Sequence, residues 1–136
     1  MSSIVSIATS GMSAASLRLG AVASNVANVS TTGALPTAGG SVAPGAPSAY
    51  TPLVVDQVAV SGGGTAATVK AVSPATVAVS DPTSPYANQS GLVAAPNVDL
   101  TNEMIQLMVA RYTFAANAAV ARAGSQLTKT LVDTKI

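Results

Sequence analysis

The stretch of residues 97–124, NVDLTNEMIQLMVARYTFAANAAVARAG, most constrains what this chain can fold into. It reads as one helix whose apolar residues point in several directions: Met104 and Met108 lie on one side, Ile105 and Val109 on another. A helix that is apolar all round is normally buried all round. The chain has only 136 residues, and no other segment looks large enough to wrap this helix. The helix therefore needs partners beyond its own chain.

The composition points to a marginal monomer. Only 8% of the residues are charged, against about 25% in ordinary soluble domains. The hydrophobic fraction of 49% consists mostly of Ala and Val, aromatic residues make up 3%, and Trp is absent. Because the gain from burial scales with apolar area, Ala contributes much less than Leu or Phe. We infer that neighbouring subunits stabilise the fold.

Charge and residue usage exclude several function classes. The formal net charge is +1, which does not favour binding of nucleic acid. The chain has no Cys and no His, so thiolate sites, the commonest general base and the commonest metal ligand are all absent. We therefore predict no enzyme activity, no catalytic, cofactor-binding or metal-binding residues, and no small-molecule substrate. No window is continuously apolar enough for a transmembrane span.

Proline divides the chain into three segments. Residues 1–32 and 97–136 contain no Pro, whereas residues 33–96 hold all eight. The outer segments read as helices and the middle as strands and turns. The predicted fold class is α+β, with long N- and C-terminal α-helices paired as an antiparallel coiled coil. A small β-hairpin region and long loops lie between them.

The N-terminal segment carries a heptad-like apolar stripe, which is typical of one long helix laid against another. After the stripe, NVSTTG at residues 28–33 predicts the end of the helix, with Gly33 in a left-handed conformation. The stripe consists of Val5, Ala8, Met12, Ala15, Leu19, Val22, Val26 and Val29.

The C-terminal helix has a start signal and more than one apolar side. Asp99 or Thr101 can cap it, and Glu103 favours the positive end of the helix dipole. The opening helix can cover one seam, and we expect neighbouring subunits to cover Met104, Leu107, Met108 and Phe114. The seam runs through Ile105, Val109, Tyr112, Ala116, Val120, Ala123, Leu127 and Leu131.

The middle segment predicts a small sheet. Val-rich runs at residues 51–60 and 65–72 flank SGGG, which favours a β-hairpin, and residues 75–79 predict a third strand. Residues 33–49 are rich in Gly, Ala and Pro and read as a loop.

Three functional readings are compatible with this pattern. An intramolecular helical hairpin could form the core of an α+β domain, or the chain could be a polymerising subunit. The excess of apolar helix surface favours the subunit, because exposed patches of that size mark assembly surfaces. The third reading is a self-contained binding module that uses its Gly- and Pro-rich loops.

Both ends of the chain resemble the rod and hook family of the bacterial flagellum. The stretch SGMSAASLRLGAVASNVANVSTTG, with Asn25, Ala27, Asn28 and Gly33, is similar to the opening helix of that family. The stretch NVDLTNEMIQLMVARYTFAANAAV, with Glu103, Met104 and the Ala116–Asn117 pair, is similar to its closing helix. The segment before it, DPTSPYANQSGLVAAPNVDL, is similar to that of the short proximal rod subunits.

The resemblance implies a structural subunit of the proximal basal-body rod or, as the alternative, another rod subunit of the same family. The rod is a hollow helical shaft across the periplasm. It implies copies of the same chain and other rod proteins as partners, together with the rotor (MS) ring and the flagellar export apparatus. It also implies type III export without a cleaved signal peptide. The expected assembly residues are Met12, Ala15, Leu19, Val22, Asn25, Val26, Asn28, Gly33, Met104, Leu107, Met108, Arg111, Phe114, Ala116, Asn117 and Val120.

Overall fold

The structure, a computed structural model, describes residues 3–37 and 41–133. A long helix stands at each end of the chain, and two small antiparallel sheets lie between the helices. In chain order the elements are α1 (Ile4–Asn28), β1 (Leu53–Ala59), β2 (Thr65–Ala71), β3 (Thr76–Ser80), β4 (Leu92–Pro96) and α2 (Leu100–Asp133). This confirms the predicted α+β arrangement of terminal helices around a β region. The division into segments 1–32, 33–96 and 97–136 stays a prediction.

The first helix follows the predicted stripe. Ser3 caps α1, since its Oγ accepts a hydrogen bond from the Ser6 amide at 3.1 Å. Ala8, Ala15 and Val22 of the stripe are buried, whereas Val26 is exposed. Its neighbour Asn25 takes the buried position instead. A polar residue, Asn25, therefore lies within the packing of α1.

The second helix begins where Asp99 caps it. The Asp99 carboxylate accepts hydrogen bonds from the amides of Thr101, at 2.9 Å, and Asn102, at 3.3 Å. These amides belong to the first helical turn and have no partner within the helix. Asp99, one of the two predicted caps, is therefore the cap, and α2 then continues for 34 residues.

The two helices pack against each other in antiparallel directions. A side chain at Gly124 would collide with Ile4, and one at Gly11 would collide with Asn117. Asn25 donates a hydrogen bond to Glu103 at 2.8 Å. Gly11 lies seven residues after Ile4, and Asn117 lies seven residues before Gly124. The two contacts therefore share one antiparallel register. The supercoiling of a coiled coil stays a prediction.

The β region forms two separate sheets. The predicted hairpin is confirmed: β1 pairs with β2 in antiparallel register from Leu53↔Ala71 to Ala59↔Thr65. Its turn uses Gly62, Gly63 and Gly64 at φ of 91°, 101° and 98°, a region that only glycine adopts readily. The third strand does not extend this hairpin, because β3 pairs with β4. Strand β4, with the sequence LVAAP, was not predicted, since Ala and Pro are poor strand formers.

Gly33 has a different role from the predicted one. Its φ is not positive, and the residue that follows α1, Val29, is right-handed. Instead Gly33 exchanges backbone hydrogen bonds with Ala94, at 2.9 and 3.0 Å. A Cβ there would lie 2.5 Å from the Pro47 carbonyl oxygen and the Ala49 nitrogen. Glycine is required because three backbone segments meet, and not because the helix turns left-handed.

Within residues 3–37 and 41–133, no helix combines the length and the apolar character that crossing a bilayer requires.

Candidate assembly surfaces

The face of α2 that packs on α1 consists of small and polar residues. Ala110 is 0% exposed, and no side chain on this face is larger than that of Gln. All the other residues of α2 are exposed. We call this set the inner face; its residues are Glu103, Gln106, Ala110, Asn117, Ala118, Ala121 and Gly124.

The predicted seam of α2 is not the one that meets α1. Every residue of that seam, from Ile105 through Tyr112 to Leu131, is exposed. The physical reason is distance: Gly11 and Gly124 let the helix backbones come close, and large side chains at the contact would hold them apart. We call the exposed seam the α2 stripe; it comprises Ile105, Val109, Tyr112, Ala116, Val120, Ala123, Leu127 and Leu131.

The outer surface of α2 is strongly apolar. From Met104 to Val132, eleven large hydrophobic side chains are between 40% and 73% exposed, Tyr112 the most. Together they present on the order of 1,000 Å² of apolar surface spread around the helix, more than the ~800 Å² that each partner contributes to a stable interface. A covering partner would remove much of this area from water.

The charges of α2 avoid the α2 stripe. With 3.6 residues per turn, the exposed charged side chains fall on one side of the helix and the α2 stripe on the other. The charged ones are Arg111, Arg122, Lys129 and Asp133. The stripe is therefore uncharged along almost the whole helix.

Asn25 joins both helices to the first sheet. Its side chain is 1% exposed, and its Nδ2 donates to the Leu53 carbonyl and to Glu103 Oε1, both at 2.8 Å. Its Oδ1 accepts from the Leu53 amide at 2.8 Å and lies 3.1 Å from the Tyr50 hydroxyl. All four hydrogen-bonding positions of the amide are thus used. A fully satisfied buried amide fixes the relative position of α1, α2 and β1.

An uncharged groove runs beside α1, between the hairpin and α2. Met12 and Leu17 of α1, Val69 of β2 and Phe114 of α2 are among the residues that line it. None of the side chains that line it is charged. We call it the α1 groove and define it by Met12, Ser16, Leu17, Gly20, Val69 and Phe114.

The predicted assembly residues fall into three groups in the structure. Four are buried within the chain: Ala15, Val22, Asn25 and Gly33. Four are half-buried: Met12, Leu19, Asn28 and Asn117. Eight are exposed: Val26, Met104, Leu107, Met108, Arg111, Phe114, Ala116 and Val120. Their role in contacts between subunits stays a prediction.

Sequence reasoning missed the inner face. Its residues recur at steps of mostly three and four, which is a helical periodicity, but they are small or polar and so escape a search for large apolar residues. A search for small residues at the same spacing, such as Ala110 and Gly124, would have found it.

The described residues contain no group of three carboxylates, His or Cys placed to hold a metal ion. The ion pair between Lys70 and Asp56 lies on the exposed hairpin, where it contributes little to stability.

Comparison with known protein families matches both ends of the chain. Residues 6–34 match a family described as flagella basal body rod protein. Residues 89–134 match one described as flagellar basal body rod FlgEFG protein C-terminal. No curated protein sequence matches the chain.

The two matched ranges coincide with the antiparallel helix pair. The first contains nearly all of α1, and the second contains β4 and α2. The matched residues span more than half of the chain, at the two ends where the rod resemblance was expected. The protein belongs to the flagellar basal-body rod family and is a structural component of the basal body.

Proposed function

We propose that this chain is the subunit called rod protein C, which builds the proximal part of the flagellar rod. The observation that carries the proposal is the uncovered apolar surface of α2 on a chain whose two ends match rod-protein families. Support for the proximal position comes from the segment at residues 81–97 and from the short middle segment.

In the proposed shaft, the helix pair lies along the axis and the β1–β2 hairpin projects outward. Copies of the chain and other rod proteins cover the outer surface of α2. Because covering that surface removes a large apolar area from water, assembly is driven mainly by burial. Rod assembly should therefore depend little on salt, since exposed ion pairs are the contacts that salt screens.

The proposed shaft transmits torque from the rotor to the hook. Torque loads the contacts between neighbouring subunits in shear. Interdigitated apolar side chains resist sliding because each must leave the gap it fills. The shaft is hollow, and exported flagellar subunits pass along its lumen.

Before assembly, the chain passes through the flagellar type III export apparatus, and it then meets the MS ring at the base of the rod. The low content of large buried residues supports this step. The core of the monomer consists mostly of Ala, so unfolding for export costs little free energy.

The experiment is image reconstruction of purified basal bodies, combined with deletion of the gene. We expect density for the helix pair in the proximal rod, and loss of swimming that the full-length chain restores. Normal swimming after deletion, or basal bodies that lack the chain, would contradict the proposal.

A deletion of residues 36–46 separates this proposal from the loop-based binding module. A rod subunit whose contacts lie on its helices should still support swimming after this deletion. A binding module that uses this loop should lose its function. Loss of swimming, with the helix pair still folded by circular dichroism, would favour the binding module.

A further inference from the structure

We propose that a second copy of this chain places its α2 stripe in the α1 groove. The inference rests on the proposed function and deepens it, because it states which two surfaces meet in the shaft.

The two surfaces match in chemistry. The α1 groove has no charged lining residue, and the α2 stripe has none from Ile105 to Leu131. A charged surface docked on this groove would bury an ion without a counter-charge, which is costly. On α2, the opposite side carries Arg111, Arg122 and Lys129, so only the stripe side can enter the groove without that cost.

The two surfaces also match in shape. The stripe presents large side chains such as Tyr112, which is 73% exposed. In the groove, Ser16 and Gly20 are small and exposed, so a ridge of large side chains finds room beside them. The six large side chains of the stripe are between 43% and 73% exposed, so docking removes their apolar area from water.

The two surfaces lie on opposite sides of the helix pair. Phe114 borders the groove, and the stripe residues from Ile105 to Leu127 are rotated from Phe114 by roughly 120–180° about the α2 axis. A copy that offers its stripe to one neighbour therefore keeps its groove free for the next. Such a heterologous contact adds subunits in series, whereas an isologous contact between two stripes would close as a dimer.

The position of Phe114 changes which residues we expect a neighbouring subunit to cover together. Met104, Leu107, Met108 and Phe114 were expected to be covered together by neighbouring subunits. In the proposed contact Phe114 is part of the receiving surface, and the side chains that enter it belong to the α2 stripe of another copy.

The chain has no cysteine, so introduced cysteines can report this contact without background. Cells produce the variants Ser16→Cys, in the groove, and Val109→Cys, in the stripe, as a mixture of two full-length chains. Basal bodies are isolated and oxidised, and the products are separated without reductant. The control replaces Val109→Cys with Ala115→Cys, an exposed position on the charged side of α2.

We expect a mixed Ser16–Val109 dimer beside a reduced amount of monomer, and no mixed dimer in the control. The double variant S16C/V109C should give a ladder of covalent multimers. A Val109–Val109 dimer in place of the mixed one, or crosslinking as strong in the control, would overturn the proposed contact and leave the rod assignment intact. Absence of the chain from the basal bodies would overturn both.

Discussion

The two faces of α2 invert the usual arrangement of a small protein. The inner face, which packs on α1, holds small and polar residues such as Ala110, Asn117 and Gly124. The outer surface, which faces water in the monomer, holds Met104, Tyr112 and other large apolar residues. A helix in an ordinary domain buries its large residues. The inversion indicates that the fold of the monomer and the assembly of the shaft rely on different contacts.

The free energy of folding and the free energy of assembly therefore come from different contacts. Close approach of the helices and the Asn25 hydrogen bonds define the shape of the monomer but bury little apolar area. In the proposed shaft, the large residues on the outer surface contribute their burial energy only when another subunit arrives. Substitutions on the inner face should therefore change the stability of the monomer, and substitutions on the outer surface should change assembly. The following predictions test this separation in order of their effect on monomer stability.

Ala15→Arg should have the largest effect. Ala15 is buried in α1, and an arginine there would be a buried charge without a partner, at a cost of roughly 4 kcal/mol. We expect loss of the helix pair in urea titrations followed by circular dichroism, and loss of swimming. The matched control is Ala23→Arg, at an exposed position of the same helix. Equal stability of the two variants would contradict the packing described for α1.

Asn25→Leu should lower the free energy of unfolding by about 3 kcal/mol, because the backbone of Leu53 and the Glu103 carboxylate lose their partner. Urea titration measures the change. Asn28→Ala is the control, since the Asn28 side chain bonds to the Ser24 carbonyl within its own helix. We expect the control to cost less than ~1 kcal/mol. If both substitutions lowered the free energy of unfolding by similar amounts, the role described for Asn25 would be wrong.

Ala110→Leu should destabilise the monomer by about 2 kcal/mol, because an added side chain on the inner face forces the helices apart. Ala115→Leu adds the same atoms at an exposed position of α2 and should change stability by less than ~0.5 kcal/mol. Thermal unfolding of the two variants gives the comparison. If Ala115→Leu were the more damaging, the assignment of the inner face would be wrong.

Ala116→Asp should have the smallest effect on the monomer, below ~0.5 kcal/mol, since Ala116 is exposed. It should nevertheless abolish swimming, because assembly would bury an unpaired carboxylate in the α2 stripe. Swimming in soft agar and unfolding of the purified chain measure the two effects. Ala115→Asp, on the charged side of α2, should reduce swimming less than Ala116→Asp does. A swimming Ala116→Asp strain would argue against the stripe as an assembly surface.

The sequence predicts much of the secondary structure. The terminal helices, the Asp99 cap and the β1–β2 hairpin all follow local rules of periodicity, capping and turn formation. Strand β4 does not, because its pairing with β3 depends on a partner and its Ala and Pro residues carry no strand signal.

The orientation of α2 could not be derived from apolar periodicity. The search for large apolar residues selected Ile105, Val109 and Tyr112 as the face that meets α1, and these are exposed. That rule assumes that the largest residues mark the contact within the chain. It fails here because the largest residues are exposed in the monomer. The family resemblance includes both Asn25 and Asn28. Only the structure shows that the Asn25 side chain bonds to other elements, whereas that of Asn28 bonds within its own helix.

The hydrogen bond between Asn25 and Glu103 joins residues separated by 78 positions, and the α1–α2 pair consists of such contacts between opposite ends of the chain. Contacts of this kind form slowly, because the loop between them must close first. The helix pair cannot be completed until the last part of α2 is free, because Gly124 packs beside Ile4. If the chain is exported as proposed, it should therefore stay extended while it is threaded, and it should acquire its shape only after release.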